Sequence, residues 1–306
     1  MRVLVTGGAG FIGSHVVDAL IGEGHSVAVV DDFSSGKREH VNPKARLYEL
    51  DIRSRDLEQV FAKERPEVVN HHAAQVDVRD SVADPIFDAD VNIVGSLNLL
   101  ECAREHGVRK FIYASTGGAV YGEPIRLPCD ENHPLNPVCP YGVSKLAVEH
   151  YLYVYRLSYG LEHTILRYPN VYGPRQDPSG EGGVAAIFAR QMVQGEQVVI
   201  NGSGEQERDF IYVHDIVRAN MLAMDRGQGQ VYNLGCGVGT SINELFAKMK
   251  EMTGYASEPV HGPPKIGETL KIYLDGAKVK RELRWEPAVA LEEGLRATIE
   301  SFRDTP

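Results

Sequence analysis

The chain begins with a strand pattern, a glycine-rich turn and a helix pattern in direct succession. An apolar run at residues 3–5 is typical of a buried parallel strand, and Gly7, Gly10 and Gly13 follow it. We predict that Gly7 permits a tight turn, that Gly10 lets backbone N–H groups approach phosphate oxygens, and that Gly13 lets the helix pack closely on the strand. A purely structural turn is the alternative, but this order of elements favours a dinucleotide pyrophosphate at the N-terminus of the first helix.

An acidic residue follows at the distance expected for ribose recognition. The second apolar run, at residues 26–30, ends in Asp31, about 20 residues after the glycine turn. A carboxylate there accepts hydrogen bonds from an adenosine ribose and repels the 2′-phosphate of NADP. No Arg follows at once, so the sequence predicts NAD, although Lys37 and Arg38 leave NADP open as the minor alternative.

Strand and helix patterns alternate through the first half of the chain. Strand patterns lie at residues 46–51, 67–72 and 110–115, and helix patterns at 56–61 and 97–103. Such alternation predicts an α/β fold with a doubly wound parallel sheet, that is, a Rossmann fold. We expect a dinucleotide-binding domain at residues 1–170. Residues 171–306, where glycine and proline become frequent, would form mainly a smaller mixed α/β substrate lobe, with some segments returning to the first domain.

Composition excludes several classes of protein. A formal net charge of -10 argues against a nucleic-acid partner, which would require a basic face. No apolar stretch approaches the ~20 residues of a membrane span, and a strand pattern at residue 2 leaves no room for a signal peptide. The four cysteines are scattered without a Cys-x-x-Cys pair. We therefore expect reduced thiols and a cytoplasmic location.

Two pairs of adjacent residues that contain histidine do not predict a catalytic or metal site. His71 and His72 are adjacent in a strand pattern and so point to opposite faces, which argues against shared metal ligation. His214 and Asp215 suggest a hydrolase pair, but no Gly-x-Ser-x-Gly elbow accompanies them. We expect structural histidines and no metal.

Tyr141 and Lys145 form the candidate catalytic pair. They lie four residues apart at the start of a helix pattern and therefore share one helix face. Lowering the pKa of a tyrosine from about 10 to about 7 requires about 4 kcal/mol, which a neighbouring ammonium and a cationic nicotinamide would supply. This spacing also arises by chance on many helices. Beside a nucleotide motif and a strand ending in Ser115 and Thr116, it predicts an acid/base tyrosine.

Further motifs give the chain a family resemblance over nearly its whole length. It resembles the extended short-chain dehydrogenases/reductases that act on nucleotide sugars, and it is most similar to the epimerase branch, the UDP-glucose 4-epimerases. The motifs are Gly7–Gly13, Asp51–Ile52, His72–Gln75, Asn92, Ser115–Thr116, Val120–Gly122, Tyr141–Lys145, Arg167–Pro174 and Arg208–Phe210.

The resemblance implies reversible oxidation of one sugar carbon. Tyr141 would take the proton of the 4-hydroxyl while C4 passes a hydride to NAD, and the hydride would return to the opposite face of the turned 4-keto sugar. Tyr141, Lys145 and Thr116 would be catalytic. The implied cofactor residues are Gly7, Gly10, Phe11, Ile12, Gly13, Asp31, Asp32, Phe33, Ser35, Gly36, Asp51, Ile52, Ala73, Ala74, Gln75, Asn92, Ser115, Tyr141, Lys145, Tyr168 and Val171. The implied substrate residues are Thr116, Gly117, Tyr141, Asn170, Val199, Asn201, Arg208, Lys265 and Glu268.

The chain departs from the family pattern at three positions. Many relatives carry Ser or Thr where this chain has Gly117, so Thr116 would replace that hydroxyl directly or through water. Lys265 stands where relatives often have Arg; it keeps the charge towards phosphate but loses the bidentate fork. Ile272 aligns with a tyrosine that closes the sugar pocket in some relatives, so we expect tolerance of N-acetyl sugars. A register slip of one residue would instead turn Tyr273 inward.

The resemblance leaves alternatives open. One is an epimerase for UDP-N-acetylhexosamine or UDP-glucuronate. A dehydratase or decarboxylase is disfavoured because residues 117–119, Gly-Gly-Ala, offer no side chain that carries a proton. A non-catalytic NAD-sensing protein is the alternative from a different class. A homodimer through helices near residues 86–106 and 141–159 is the family expectation.

Overall fold

The computed structural model of the chain describes residues 1–179, 183–264 and 269–303. Within these ranges the strands are β1 (Arg2–Thr6), β2 (Ser26–Asp31), β3 (Arg46–Glu49), β4 (Val68–His71), β5 (Lys110–Thr116), β6 (Glu162–Tyr168), β7 (Asn170–Tyr172), β8 (Val199–Asn201), β9 (Glu207–Arg208), β10 (Phe210–Tyr212), β11 (Gln230–Asn233), β12 (Thr240–Ser241), β13 (Val260–Gly262) and β14 (Lys271–Ile272). The helices are α1 (Phe11–Gly22), α2 (Leu57–Glu64), α3 (Val78–Ala83), α4 (Pro85–Ala89), α5 (Gly95–Glu105), α6 (Pro140–Tyr159), α7 (Val184–Gln194), α8 (Val213–Ala223), α9 (Ile242–Thr253), α10 (Ala277–Leu283) and α11 (Leu291–Arg303). A π-helical turn, Asp90–Val94, joins α4 to α5.

A parallel sheet of seven strands forms the centre of the described structure, in the order β11-β6-β5-β4-β1-β2-β3. Successive strand residues face opposite sides: Val3 and Val5 join one buried cluster, with residues of α1 and α8, and Leu4 joins the other, with residues of α2, α5 and α6. Because both faces are covered, the central strand β1 is apolar and buried from Val3 to Val5. This arrangement confirms the predicted doubly wound parallel sheet.

The sheet order brings the predicted cofactor segments to one edge. β1 lies between β2 and β4, so the chain leaves β1 on one side of the sheet and returns on the other. Ligands of open α/β sheets bind at this switch point, outside the carboxyl ends of the strands. Gly7, Asp31, Ala73 and Ser115 all stand at or just after the ends of neighbouring strands.

Another buried cluster, separate from the two that cover the large sheet, lies mainly in the C-terminal part of the chain. Phe188 of α7, Phe246 of α9 and Leu295 of α11 pack together beside short two- and three-stranded sheets. In contrast, β11 extends the large sheet next to β6, and Trp285 is buried with Val3 and Val5. The division into residues 1–170 and 171–306 with returning segments remains our proposal.

The predicted elements have shifted ends. The strand expected at residues 46–51 ends at Glu49, so Asp51 lies in the turn after it, and the strand expected at 67–72 spans Val68–His71. The helix expected at 97–103 is longer, Gly95–Glu105. A strand ends at its last residue with backbone pairing, whereas the strand-like sequence pattern can continue beyond that residue.

Two further properties concern the described ranges as a whole. None of their helices combines the length and apolar character needed to cross a bilayer. No group of three or more His, Cys, Asp or Glu side chains in them has the geometry to hold a metal ion.

Candidate active site

The glycine turn between β1 and α1 forms a backbone cradle. Gly7 has a φ of 67°, and a Cβ on it would lie 2.6 Å from Ala73 N. A Cβ on Gly13 would lie 2.1 Å from Gly7 O, so the turn and the helix are closer than any side chain permits. Gly10 is the N-cap of α1 and provides no side-chain cap. The first N–H groups of α1 therefore lack intrahelical partners and are suited to bind an anion.

Asp31 closes the opposite side of the cradle. Its Oδ2 accepts a hydrogen bond from Ala9 N and its Oδ1 one from Phe33 N, both at 2.9 Å. Burial raises the pKa of this carboxyl, while the two N–H donors act in the opposite direction. A Cβ on Gly36 would lie 2.7 Å from Asp31 Oδ1. Asp31 therefore holds the loop in place and presents its remaining lone pairs at the strand end.

The other predicted residues of this loop differ in exposure. Asp32 and Ser35 are exposed, whereas Phe33 is half-buried with a φ of 59°. The Arg38 guanidinium lies 4.4 Å from the centroid of the Phe33 ring. Arg38, which left NADP open in the sequence, is therefore also engaged with this loop.

Asp51 and Ile52, which the resemblance implies as cofactor residues, lie just beyond β3. Asp51 accepts hydrogen bonds from Arg53, at 2.8 Å from the backbone N and 2.5 Å from Nη2, and this guanidinium lowers the pKa of the Asp51 carboxyl. The same guanidinium bridges to Asp90 at 2.7 Å. Ile52 is buried against Gly95, where a Cβ would lie 2.7 Å from Ile52 Cδ1.

Asn92 ties the loop after β4 to the helices beneath it. Its Oδ1 accepts from Gln75 N, and its Nδ2 donates to Gln75 O, both at 2.9 Å. Nδ2 also donates to Asp88 Oδ1 at 3.0 Å. The buried Gln75 Oε1 has no hydrogen-bond partner among the described residues. Asn92 therefore positions the loop, and Gln75 retains an acceptor for a ligand.

Tyr141 and Lys145 lie on one face of α6, whose first turn contains Pro140. Lys145 is buried, and its Nζ donates to Ala114 O at 3.0 Å. Nζ lies 5.9 Å from the centroid of the Tyr141 ring and 5.0 Å from that of Tyr113. The predicted pair thus meets at the end of β5.

The electrostatics of this pair differ from the sequence expectation. Burial lowers the pKa of Lys145 to about 8, with Asp88 and Glu149 acting in the opposite direction. Burial raises the pKa of Tyr141, and Cys139 and Asp88 raise it further. The protein alone therefore favours the neutral phenol, so any lowering of the Tyr141 pKa depends on the positive nicotinamide.

Ser115 is part of a buried ionic network. Its Oγ donates to Glu149 Oε1 at 2.5 Å, and Arg167 binds both oxygens of the same carboxylate at 3.0 and 2.6 Å. Arg167 also donates to Tyr121 Oη at 2.8 Å. Glu149 is not among the predicted site residues, and its position eight residues after Tyr141, on the same side of α6, was the available signal.

The histidines at the carboxyl end of β4, His71 and His72, are structural in this arrangement. His71 is hydrogen-bonded to Thr6 Oγ1 at 2.7 Å and to Ser96 Oγ at 2.9 Å. His72 stacks on Tyr168, with ring centroids 6.2 Å apart, and burial lowers its pKa to about 3. Tyr168 in turn accepts a hydrogen bond from Asn220 at 2.8 Å. Burial also lowers the pKa of His71, so both histidines are held neutral.

Asp215, the other residue of the rejected hydrolase pair, also has a structural role. Its carboxylate accepts hydrogen bonds from the backbone N–H groups of Ala288 and Val289 at 3.1 Å. Arg218 forms an ion pair with it at 2.9 Å. Asp215 therefore fastens the segment before α11 to α8.

The predicted substrate residues come from several strands. Thr116 lies opposite Tyr168 in the sheet, and Asn170 N donates to Asp209 O at 2.9 Å at the start of β7. Arg208 is buried, with Nη1 donating to Glu207 O at 2.9 Å. Val199 is exposed and Asn201 half-buried at the two ends of β8. The other predicted cofactor residues occupy the segments named above: Phe11 and Ile12 begin α1, Ala74 lies in the loop after β4, and Val171 lies in β7. Lys265 and Glu268 lie outside the described residues.

The register of β14 turns Ile272 inward. Ile272 pairs with Arg208 and is buried in a cluster with Val120 and Leu274. Tyr273 points the other way, where a Cβ on Gly239 would lie 2.8 Å from its Cδ1. Ile272 is therefore the residue of this strand that faces the buried cluster.

Comparison with known proteins identifies the family. The sequence profile of the NAD dependent epimerase/dehydratase family matches residues 3–235. The chain belongs to this family. A putative UDP-glucose 4-epimerase from Methanocaldococcus jannaschii is 46% identical over 297 residues, which cover 97% of both chains.

Solved structures agree with this assignment. A UDP-glucose 4-epimerase from Thermotoga maritima with UDP-glucose superposes with a TM-score of 0.99 at 53% identity, covering 100% of this chain and 99% of the other. A UDP-glucose 4-epimerase from Thermus thermophilus in complex with NAD gives a TM-score of 0.96 at 44% identity, covering both chains completely.

The described residues fit the dinucleotide that the family requires. The cradle around Gly7 and Gly13 leaves space that a Cβ would fill, and the N-terminus of α1 supplies open N–H donors. Asp31 and the open acceptor of Gln75 lie at the neighbouring strand ends. These features are what a pyrophosphate flanked by two riboses needs.

Proposed function

We propose that this chain is an NAD-dependent UDP-glucose 4-epimerase that interconverts UDP-glucose and UDP-galactose through a 4-keto sugar. The observation that carries the proposal is the pair of the half-buried Tyr141 and the buried Lys145, which lies at the same carboxyl edge of the sheet as the glycine cradle. The likeness to solved UDP-glucose 4-epimerases over the whole chain supports the substrate.

The proposed chemistry gives Tyr141 the role of acid and base. Its phenolic oxygen takes the proton of the sugar 4-hydroxyl and later returns it. Lys145, anchored to Ala114 O, holds its amino group near the ring, and the positive nicotinamide of bound NAD would supply the charge that lowers the Tyr141 pKa. Bound NAD supplies the hydride acceptor and donor, so that no net oxidation occurs. Thr116, at the end of β5, holds the 4-hydroxyl together with Tyr141.

The remaining contacts hold the nucleotide diphosphate while the sugar turns. Arg208 is a charge-assisted donor for phosphate oxygens, and Asn170, at the start of β7, is hydrogen-bonded to Asp209, the residue after Arg208. Asn201 and Val199 contact the uracil. Lys265 and Glu268 are further residues of the proposed substrate-binding group. Holding the diphosphate rather than the sugar lets either face of the 4-keto group approach the cofactor.

Product analysis tests the proposal. The purified protein is incubated with UDP-glucose, UDP-galactose, their N-acetyl forms and UDP-glucuronate, and the products are resolved by chromatography. We expect UDP-glucose and UDP-galactose to interconvert to one equilibrium ratio from either side. Tyr141→Phe is the matched inactive control. A new 4-keto-6-deoxy or pentose product would instead identify a dehydratase or a decarboxylase, and NAD binding without turnover would identify a sensing protein.

The proposal includes a homodimer formed by the helices near residues 86–106 and 141–159. Exposed apolar side chains on these elements support it: Ile86 is 81% and Leu157 65% exposed. Mass measurement by light scattering tests it, with Leu157→Glu expected to yield monomers. Ile125→Glu, on a loop outside these helices and 74% exposed, is the control.

The proposal also includes a cytoplasmic location. The four cysteines are free, as expected for a reducing compartment. Fractionation of the source cells tests this point.

A further inference from the structure

Gly117 has a backbone that any residue can adopt but no room for a side chain. It follows β5 directly, and its N–H donates to Tyr168 O at 2.7 Å. A Cβ built on it would lie 2.3 Å from Leu274 Cδ1 and 3.0 Å from Cδ2. The next glycine differs, since a Cβ on Gly118 would meet only Thr116 Oγ1, at an ordinary 3.7 Å. The restriction at position 117 thus comes from one leucine.

Leu274 is held firmly in this position. Its N–H donates to Asp209 Oδ2 at 3.1 Å, and Asp209 is itself buried. Residues on either side of it pair with Cys129: Cys129 N donates to Tyr273 O at 2.9 Å and Asp275 N to Cys129 O at 2.7 Å. A Cβ on Gly235 would lie 2.5 Å from Leu274 Cβ. With its backbone fixed on three sides, the fully buried leucine has little freedom to move away from Gly117.

We propose that Leu274 is a positioning residue of the reaction, whose side chain takes the volume above Gly117 and leaves Thr116 as the hydroxyl at the end of β5. Gly117 and Leu274 form one steric unit: the glycine is required because the leucine is present. The apolar side chain also excludes water from that side of the strand end, so that Thr116 and Tyr141 hold the sugar hydroxyl. This inference rests on the proposed epimerase function for its catalytic part, and on geometry alone for its steric part.

A double-mutant cycle tests the steric part without any assay of activity. Gly117→Ala should lower Tm by about 3 °C or more because its methyl group collides with Leu274. In the Leu274→Ala background the same change should cost nothing or raise Tm, because it fills the space left by the leucine. Gly118→Ala is the matched control and should change Tm little in either background. Equal Tm losses for Gly117→Ala in both backgrounds would overturn the steric unit.

Exchange of the hydroxyl tests the catalytic part. In the wild type, Thr116→Ala should lower kcat by about 10-fold or more with a smaller change in KM. In the variant Gly117→Ser/Leu274→Ala, the new serine supplies a hydroxyl next to Thr116, so that the same Thr116→Ala change should cost less than about threefold. If Leu274 had a purely structural role, the loss of kcat on Thr116→Ala would not differ between the two backgrounds. An equal kcat loss in both backgrounds would refute the catalytic part.

The two tests separate the possible failures. If the wild type converts none of the UDP-sugars, the proposed function fails while the Tm cycle still decides the steric unit. If the wild type is active and the cycle shows no coupling, the inference fails and the proposed function stands.

Discussion

Ser144 donates a hydrogen bond to Asp88 across the gap between the catalytic helix and α4, with Oγ 2.6 Å from Oδ2. The other carboxylate oxygen of Asp88 accepts from Asn92, which in turn holds the Gln75 loop. Ser144 immediately precedes Lys145 in α6. One buried carboxylate therefore fixes the catalytic helix and the cofactor loop relative to each other.

Asp88→Asn should weaken both functions that this carboxylate connects. An amide accepts only on one side, so either Ser144 or Asn92 loses its partner, and a buried hydrogen bond to a charged group contributes about 1.5–3 kcal/mol. We expect lower Tm, weaker NAD binding by calorimetry and lower kcat. Ser144→Ala, which removes one bond only, should have a smaller effect. Asp80→Asn, at an exposed position of α3, is the control, and equal losses for both aspartates would argue against this role.

Asp31→Ala should weaken NAD binding. The substitution removes the ribose acceptor and also the two hydrogen bonds that hold Ala9 and Phe33 in the cradle. We expect NAD to co-purify with the wild type and a smaller amount of NAD to co-purify with the variant. The dinucleotide released on denaturation measures both amounts. Asp32→Ala, at the exposed neighbour, should retain the cofactor. A wild type that releases no dinucleotide and binds none by calorimetry contradicts the cofactor assignment.

Tyr141→Phe should retain the fold and NAD while lowering kcat by at least about 10²-fold, because the acid/base hydroxyl is lost. Since burial raises the pKa of Tyr141, the protein without NAD should show no phenolate absorbance from this residue at pH 8. NAD binding should produce such a band in the wild type and not in Tyr141→Phe. A variant that epimerises at the wild-type rate would falsify the mechanism.

Lys145→Met should abolish turnover without lowering stability at pH 7. The pKa of Lys145 falls from 10.5 to about 8 in the fold. Below pH 8 the buried charge therefore imposes its full net cost, about 3 kcal/mol, in which the opposing effects of Asp88 and Glu149 are already included.

The sign of the pH effect follows from proton binding. Between pH 8 and 10.5 the unfolded state binds more protons at this lysine than the folded state, so its contribution to wild-type stability rises with pH. Urea unfolding of both proteins at pH 7 and pH 9.5 should show the stability advantage of Lys145→Met shrinking at the higher pH. An advantage that grows with pH would contradict this account.

Ile272→Tyr should selectively remove activity on N-acetyl sugars. The wild type is expected to accept them to some extent, because isoleucine is shorter than tyrosine on the buried side of β14. The measurement is the ratio of kcat/KM for UDP-N-acetylglucosamine to that for UDP-glucose. A modest Tm loss from overpacking accompanies the change and is matched by the control Ile272→Phe. If the wild type lacks activity on UDP-N-acetylglucosamine and Tyr273→Ala gains it, the residue that limits the pocket is Tyr273 and not Ile272.

The sequence by itself determined the parallel sheet, the glycine cradle and the Tyr141–Lys145 pair. Each depends on short-range order: apolar runs for buried strands, glycines at a strand-to-helix turn, and a four-residue spacing that brings two side chains to one helix face. The strand ends that carry Asp31 and Ser115 follow from the same patterns, because parallel strands end at one edge.

Only the tertiary structure decided which distant groups satisfy one another. Leu274 lies over Gly117, Asp88 accepts from Ser144, and Glu149 binds Arg167. A buried charge or a missing Cβ must be matched by whatever the packed elements bring near, and no local pattern specifies that partner. For the same reason the sequence predicted the spacing of the catalytic pair but not the direction in which burial shifts the pKa of Tyr141.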